Sequence, residues 1–78
     1  MYNIYSVTEN RCIGTVVERS RKQETINAIN TALSAYYKAS ILITNIILPE
    51  NKKGTVKPLI LSIKGKNHNI NISETTLY

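Results

Sequence analysis

The spacing of apolar residues changes along the chain, and each change predicts an element. From Tyr2 to Glu9 the residues Tyr2, Ile4, Tyr5, Val7 and Thr8 have the β-branched and aromatic composition of a strand. Cys12 to Arg19, with Ile13, Thr15, Val16 and Val17, repeats that composition. Glu9-Asn10-Arg11 lies between them as a turn, so the two strands form a hairpin with Tyr2 and Tyr5 on opposite faces. The spacing then becomes helical. Ile26, Ile29, Leu33 and Tyr36 make one apolar stripe along a helix spanning Arg21–Ala39, with Asn27, Thr31, Ser34 and Lys38 on the other side. Tyr36 continues the stripe, and its neighbour Tyr37 points away from it. Ser20 and Gln23 have the spacing of a capping box, in which each side chain satisfies a free N–H group of the helix start.

After the helix, Ile41–Leu48 is a nearly continuous apolar run bounded by Pro49, as in a central strand. The loop from Pro49 to Lys57 is polar. Leu59–Lys64 and His68–Ile72 flank Gly65-Lys66, which reads as a two-residue type II′ hairpin loop with Gly65 supplying the positive φ. Counting outward pairs Ile63 with His68, Leu61 with Ile70 and Leu59 with Ile72 on one face. Lys64 pairs with Asn67, Ser62 with Asn69 and Ile60 with Asn71 on the other. The first face is apolar and the second carries amides and hydroxyls.

The element order is therefore ββαβββ in a single domain spanning residues 1–78, with residues 73–78 a loose tail. One helix covers the apolar face of a five-stranded antiparallel sheet, an α+β two-layer fold with strand order 2-1-3-4-5. The far face is left open, and Ser62, Lys64, Asn67, Asn69 and Asn71 are what it displays.

Charge adds to that picture. Ten Lys and Arg stand against five acidic residues, all of them Glu, for a net charge of +5. The topology gathers Arg19, Arg21, Lys22, Lys52, Lys53 and Lys57 near one pole, and Arg11, Lys38, Lys64 and Lys66 near the other. Clustered Lys and Arg attract phosphate; Lys-rich turns also keep sheet edges from pairing between molecules.

Catalytic chemistry has little material. The chain holds one His and one Cys. His68 falls on the core face beside the turn, and Cys12 starts a strand as a buried thiol. These two lack the spaced ligand pairs of a zinc site, and Gly14, Gly54 and Gly65 are isolated rather than grouped in a phosphate loop. No cofactor, metal or enzymatic activity is expected. No apolar run approaches the length of about 20 residues that spans a membrane, and Met1–Glu9 has no basic leader, so a cytoplasmic protein is expected. Residues with AT-rich codons are frequent, Ile above all, which hints at phage or other mobile DNA.

As a pattern of elements across its whole length, the chain resembles the small phage-encoded anti-CRISPR proteins that inhibit type I surveillance complexes. The resemblance rests on strands at Tyr2–Glu9 and Cys12–Arg19, the helix Arg21–Ala39, and strands at Ile41–Leu48, Leu59–Lys64 and His68–Ile72. No shared motif accompanies it, so no binding residue is carried over. Several of those proteins are acidic DNA mimics, and this basic chain departs from them. The resemblance implies docking on a protein–RNA complex. With the uncovered polar face, the well-specified register and the missing catalytic groups, the leading reading is a non-enzymatic inhibitor or adaptor for a protein or ribonucleoprotein partner. Its expected contacts are Arg21, Lys22, Lys52, Lys53, Ser62, Lys64, Lys66, Asn69 and Asn71. A basic nucleic-acid-binding domain is the second reading, and a homodimer formed through exposed sheet edges is the third.

Overall fold

The computed structural model describes residues 1–44, 46–49 and 55–74. Its elements are β1 (Tyr2–Ser6), β2 (Arg11–Val16), α1 (Lys22–Tyr37), β3 (Val56–Ile63) and β4 (Lys66–Glu74). Among these residues the fold is α+β with one helix on an antiparallel sheet, but the sheet has four strands in the order β2-β1-β4-β3. The place beside β1 expected for Ile41–Leu48 belongs to β4, which pairs Ile4 with Ile72 and Ser6 with Ile70.

Ile41–Leu48 forms no strand among its described residues. The helix supplies the reason. Asn30 is buried, its side-chain amide donates to the Ile43 carbonyl at 3.0 Å, and its Oδ1 accepts the Ile43 N–H at 2.8 Å. One turn on, Ser34 Oγ accepts the Ile41 N–H at 3.1 Å and donates to the Ile41 carbonyl at 3.3 Å. The two side chains act as substitute peptide groups, so the segment runs along the helix without needing a strand partner. Ile43 and Ile46 enter the core, while Leu42 and Ile47 are left exposed. Ser34, expected on the solvent side of the helix, is half-buried by this arrangement.

The core forms where the helix stripe meets the sheet. Ile4, Ile29, Leu33, Ile70 and Ile72 are fully buried, with Tyr2, Val16 and Ile26 nearly so. Each such aliphatic side chain contributes about 1.5–3 kcal/mol of burial. The helix starts at Lys22 after Arg21, without a side-chain cap. The capping box does not form. Gln23 Nε2 donates to Asn27 Oδ1 instead, and buried Thr25 holds the approach to the helix by accepting the Arg19 N–H at 2.8 Å. The helix closes at Lys38, whose φ of 52° is left-handed and whose N–H bonds to the Ser34 carbonyl.

The roles of the adjacent tyrosines are exchanged relative to expectation. Tyr37 packs against the core, its ring 4.9 Å from that of His68 and its hydroxyl 3.5 Å from Ser6 Oγ. Tyr36 turns outward, with its hydroxyl donating to Glu9 Oε2 at 3.3 Å and Arg11 over its ring.

The β3–β4 hairpin turns at Lys64-Gly65, where φ is 52° and 79°. Two consecutive positive φ values give the type I′ geometry rather than II′. The ladder is displaced by two residues from the expected one, pairing Ile63 with Lys66, Leu61 with His68 and Leu59 with Ile70. A two-residue shift leaves every side chain on its own face, so the apolar and amide faces separate as expected. The first hairpin is shorter than expected: β1 ends at Ser6, residues 7–10 turn, and a bulge at Ile13 interrupts the pairing between Ile4–Gly14 and Tyr5–Cys12. Strand β4 runs through Ser73 and Glu74, which were expected in the loose tail. Glu74 Oε1 lies 3.4 Å from the ammonium of Met1.

Candidate functional site

The core leaves the sheet face away from the helix unused. Pleating places Thr15 and Cys12 of β2, Asn3 and Tyr5 of β1, Asn67, Asn69, Asn71 and Ser73 of β4, and Val56, Pro58, Ile60 and Ser62 of β3 on that side. Alternate positions on the same strands, such as Tyr2, Ile4, Ile70 and Ile72, are buried under the helix. Among the described residues no element covers the open face, and Cys12, Thr15, Pro58, Ile60, Ser62, Asn67 and Asn69 are exposed.

Polar groups on this face divide into tied and free. Cys12 is exposed rather than buried, because Tyr5 opposite it also faces outward; its thiol donates to Asn3 Oδ1 at 3.0 Å. The Tyr5 hydroxyl donates to Asn10 Oδ1. The Asn69 backbone is held on both sides, its carbonyl accepting the Val7 N–H and its N–H donating to Thr8 Oγ1, each at 2.8 Å. The side-chain amides of Asn67, Asn69 and Asn71 make no hydrogen bond among the described residues. They stand at two-residue steps, roughly 7 Å apart along β4. Each offers two donors and an acceptor without charge. Such a row suits the polar edges of a peptide or a base better than it suits a phosphate.

Beside this row β3 shows an apolar border. Ile60 is 73% exposed and Val56 48%. Neither was among the expected contacts, although Val56, Pro58, Ile60 and Ser62 share one strand parity that the sequence already displays.

The expected site residues do not form one surface. Ser62, Asn69 and Asn71 lie together on the open face, with Ser62 opposite Asn67 and Asn69 opposite Ile60. Lys64 occupies the hairpin turn and Lys66 opens β4 beside it. Arg21 and Lys22 begin the helix, in the layer on the opposite side of the sheet. Lys52 and Lys53 lie outside the described residues.

A second, smaller feature surrounds the helix start. Tyr2, Glu18, Arg19, Lys22, Thr25 and Pro49 line an open depression of about 350 Å3. The Tyr2 hydroxyl lies 3.4 Å from Glu18 Oε1 and 3.3 Å from the Pro49 carbonyl. Burial first, and then the negative charges of Glu18 and Glu74, push the Tyr2 hydroxyl above its ordinary pKa. Exposed Ile47 borders this depression and two more, one beside Ile26 and the other beside Lys57. Arg19 and Lys22 line the first of these depressions and Lys57 the third.

His68 is buried on the core face, and its Nδ1 has no hydrogen-bond partner among the described residues. Among the described residues no three His, Cys, Asp or Glu side chains gather as metal ligands, and no helix is long and apolar enough to cross a membrane. Compared with known proteins, the chain matches no family model, no curated protein and no solved structure.

Proposed function

We propose that this protein is a non-enzymatic binding module, an inhibitor or adaptor, that engages a protein or ribonucleoprotein partner through the open face of its sheet. The observation that carries this reading is the row of free amides on Asn67, Asn69 and Asn71, set beside exposed Ile60 and Val56 on a face that no described element covers. Apolar side chains left in water cost free energy that a partner can recover, and uncharged amides add directional contacts around them. Inhibition of a CRISPR surveillance complex, which the resemblance to small anti-CRISPR proteins implies, is one specific form of this function.

The test compares wild type with an Asn69→Ala/Asn71→Ala/Lys64→Ala variant as bait in cell lysates. The wild type is expected to retain a partner that the variant loses; identical partner sets exclude the open face as the contact surface. The specific form is tested by plating phage on cells with an active type I CRISPR system. Expression of the protein restores plaques if the reading is right and leaves plating unchanged if it is not.

A further inference from the structure

The outer edge of β3 offers a more specific means of contact. Strand β3 pairs with β4 on one side only, and among the described residues nothing pairs with its other side. The Glu74 N–H donates to the Thr55 carbonyl at 3.3 Å. That bond fixes the alternation of the ladder. Lys57, Leu59, Leu61 and Ile63 direct their peptide groups at β4, and Val56, Pro58, Ile60 and Ser62 direct theirs outward. The outward residues are the same ones that carry exposed Val56 and Ile60 side chains. One strand therefore presents free backbone donors and acceptors together with an apolar border.

We infer that β3 accepts an extended, acidic segment of a partner protein as an added antiparallel strand. This rests on the open-face reading, since the added strand would extend that face past β3, one strand beyond the amide row of β4. Charge favours such an occupant. Strand β3 has no carboxylate, Lys57 lies within it, and Lys64 and Lys66 flank its end. A second copy of this chain fits poorly. Antiparallel pairing about Ile60 would place Pro58 of each copy opposite Ser62 of the other. Proline has no N–H, so a hydrogen bond is lost on both sides of the dyad. The same pairing brings Lys57 of one copy within one position of Lys64 of the other, at both ends, between chains that each carry +5. A heterologous strand meets Pro58 once and can place Glu or Asp opposite the lysines. Nucleic acid would use the lysines but not the row of peptide groups.

The experiment uses amide resonances of the full chain titrated with a blocked eight-residue peptide of alternating Val and Glu. Its Val/Lys counterpart and an oligo(dT) serve as comparisons. The acidic peptide is expected to shift Val56, Ile60 and Ser62 and to slow hydrogen exchange at the Ile60 and Ser62 N–H groups, with no such effect from the other two probes. Ile60→Pro removes an outward N–H without touching the β4 ladder and should weaken peptide binding at least tenfold. Should Ile60→Pro not fold, Ser62→Pro serves, and the wild-type exchange pattern decides on its own. Shifts centred elsewhere, an equal response to oligo(dT), unchanged affinity in the proline variant, or protection of the same edge by self-association without peptide each overturn the inference. With a partner in hand, loss of binding by the Asn69/Asn71/Lys64 variant but not by Ile60→Pro removes the edge and keeps the open face. The reverse pattern keeps the edge and removes the face.

Discussion

Tyr2 joins the first strand to the chain before the helix and to the segment after it, through one hydroxyl near both Glu18 and the Pro49 carbonyl. Its phenol is harder to ionise in the folded protein than in the unfolded chain, mainly because burial disfavours the anion and then because two carboxylates lie near it. The folded state therefore holds this proton more tightly. Stability from this source is complete below the unfolded value of about 10 and is lost as pH rises through the higher folded value. Tyr2→Phe should flatten that alkaline decline, as measured by denaturant midpoints between about pH 8 and 11; an unchanged pH profile would mean that Tyr2 does not drive it. At this scale the sequence was legible in part. The opposite orientations of Tyr2 and Tyr5 follow from strand alternation alone. The exposed thiol of Cys12 did not follow, because the bulge at Ile13 resets the parity of β2. Tyr36 and Tyr37 were exchanged because the helix stripe fits either one, and His68 on the sheet selects Tyr37.

Among the elements, the segment after the helix depends most on a few atoms. Asn30 and Ser34 carry the peptide groups of Ile43 and Ile41, and cutting Asn30 back to Ala leaves a buried N–H and carbonyl without partners. The expected cost is about 1–3 kcal/mol, with faster amide exchange at Ile43 ahead of the core strands. Exchange that rises equally everywhere would show the segment to be part of one cooperative unit. An apolar run such as Ile41–Leu48 fits a central strand and a buried irregular segment equally well. What decided between them was a pair of polar residues one turn apart on the preceding helix, a signal outside the run itself. The hairpin teaches a related lesson. Alternation of aliphatic and amide residues separates odd shifts from even ones and cannot separate even shifts from each other. It therefore gave the two faces correctly while missing the register by two residues, a choice made by the backbone at Lys64 and Gly65.

For the molecule as a whole, the amide-rich open face was legible because it needs only strand parity, whereas the strand order was not. With Ile41–Leu48 held by the helix, the position beside β1 is filled by β4, the strand most distant in sequence. Strand β4 carries Ile70 and Ile72, both fully buried, and is the shared partner of β1 and β3. A chain lacking residues 66–74 should lose the dispersed amide spectrum of a folded domain altogether. Retention of a folded β1–β2–α1 unit would show that the helix stabilises the first hairpin unaided. The same position of β4 sets an order of events during synthesis. The ribosome releases β1, β2, the helix and β3 before the strand that joins them. Until residues 66–74 emerge, β1 has a bare edge, β3 has no neighbour, and Ile4, Ile29 and Leu33 lack Ile70 and Ile72 in their core. The nascent chain must wait for its last strand, and the sheet is completed from its middle rather than from either edge.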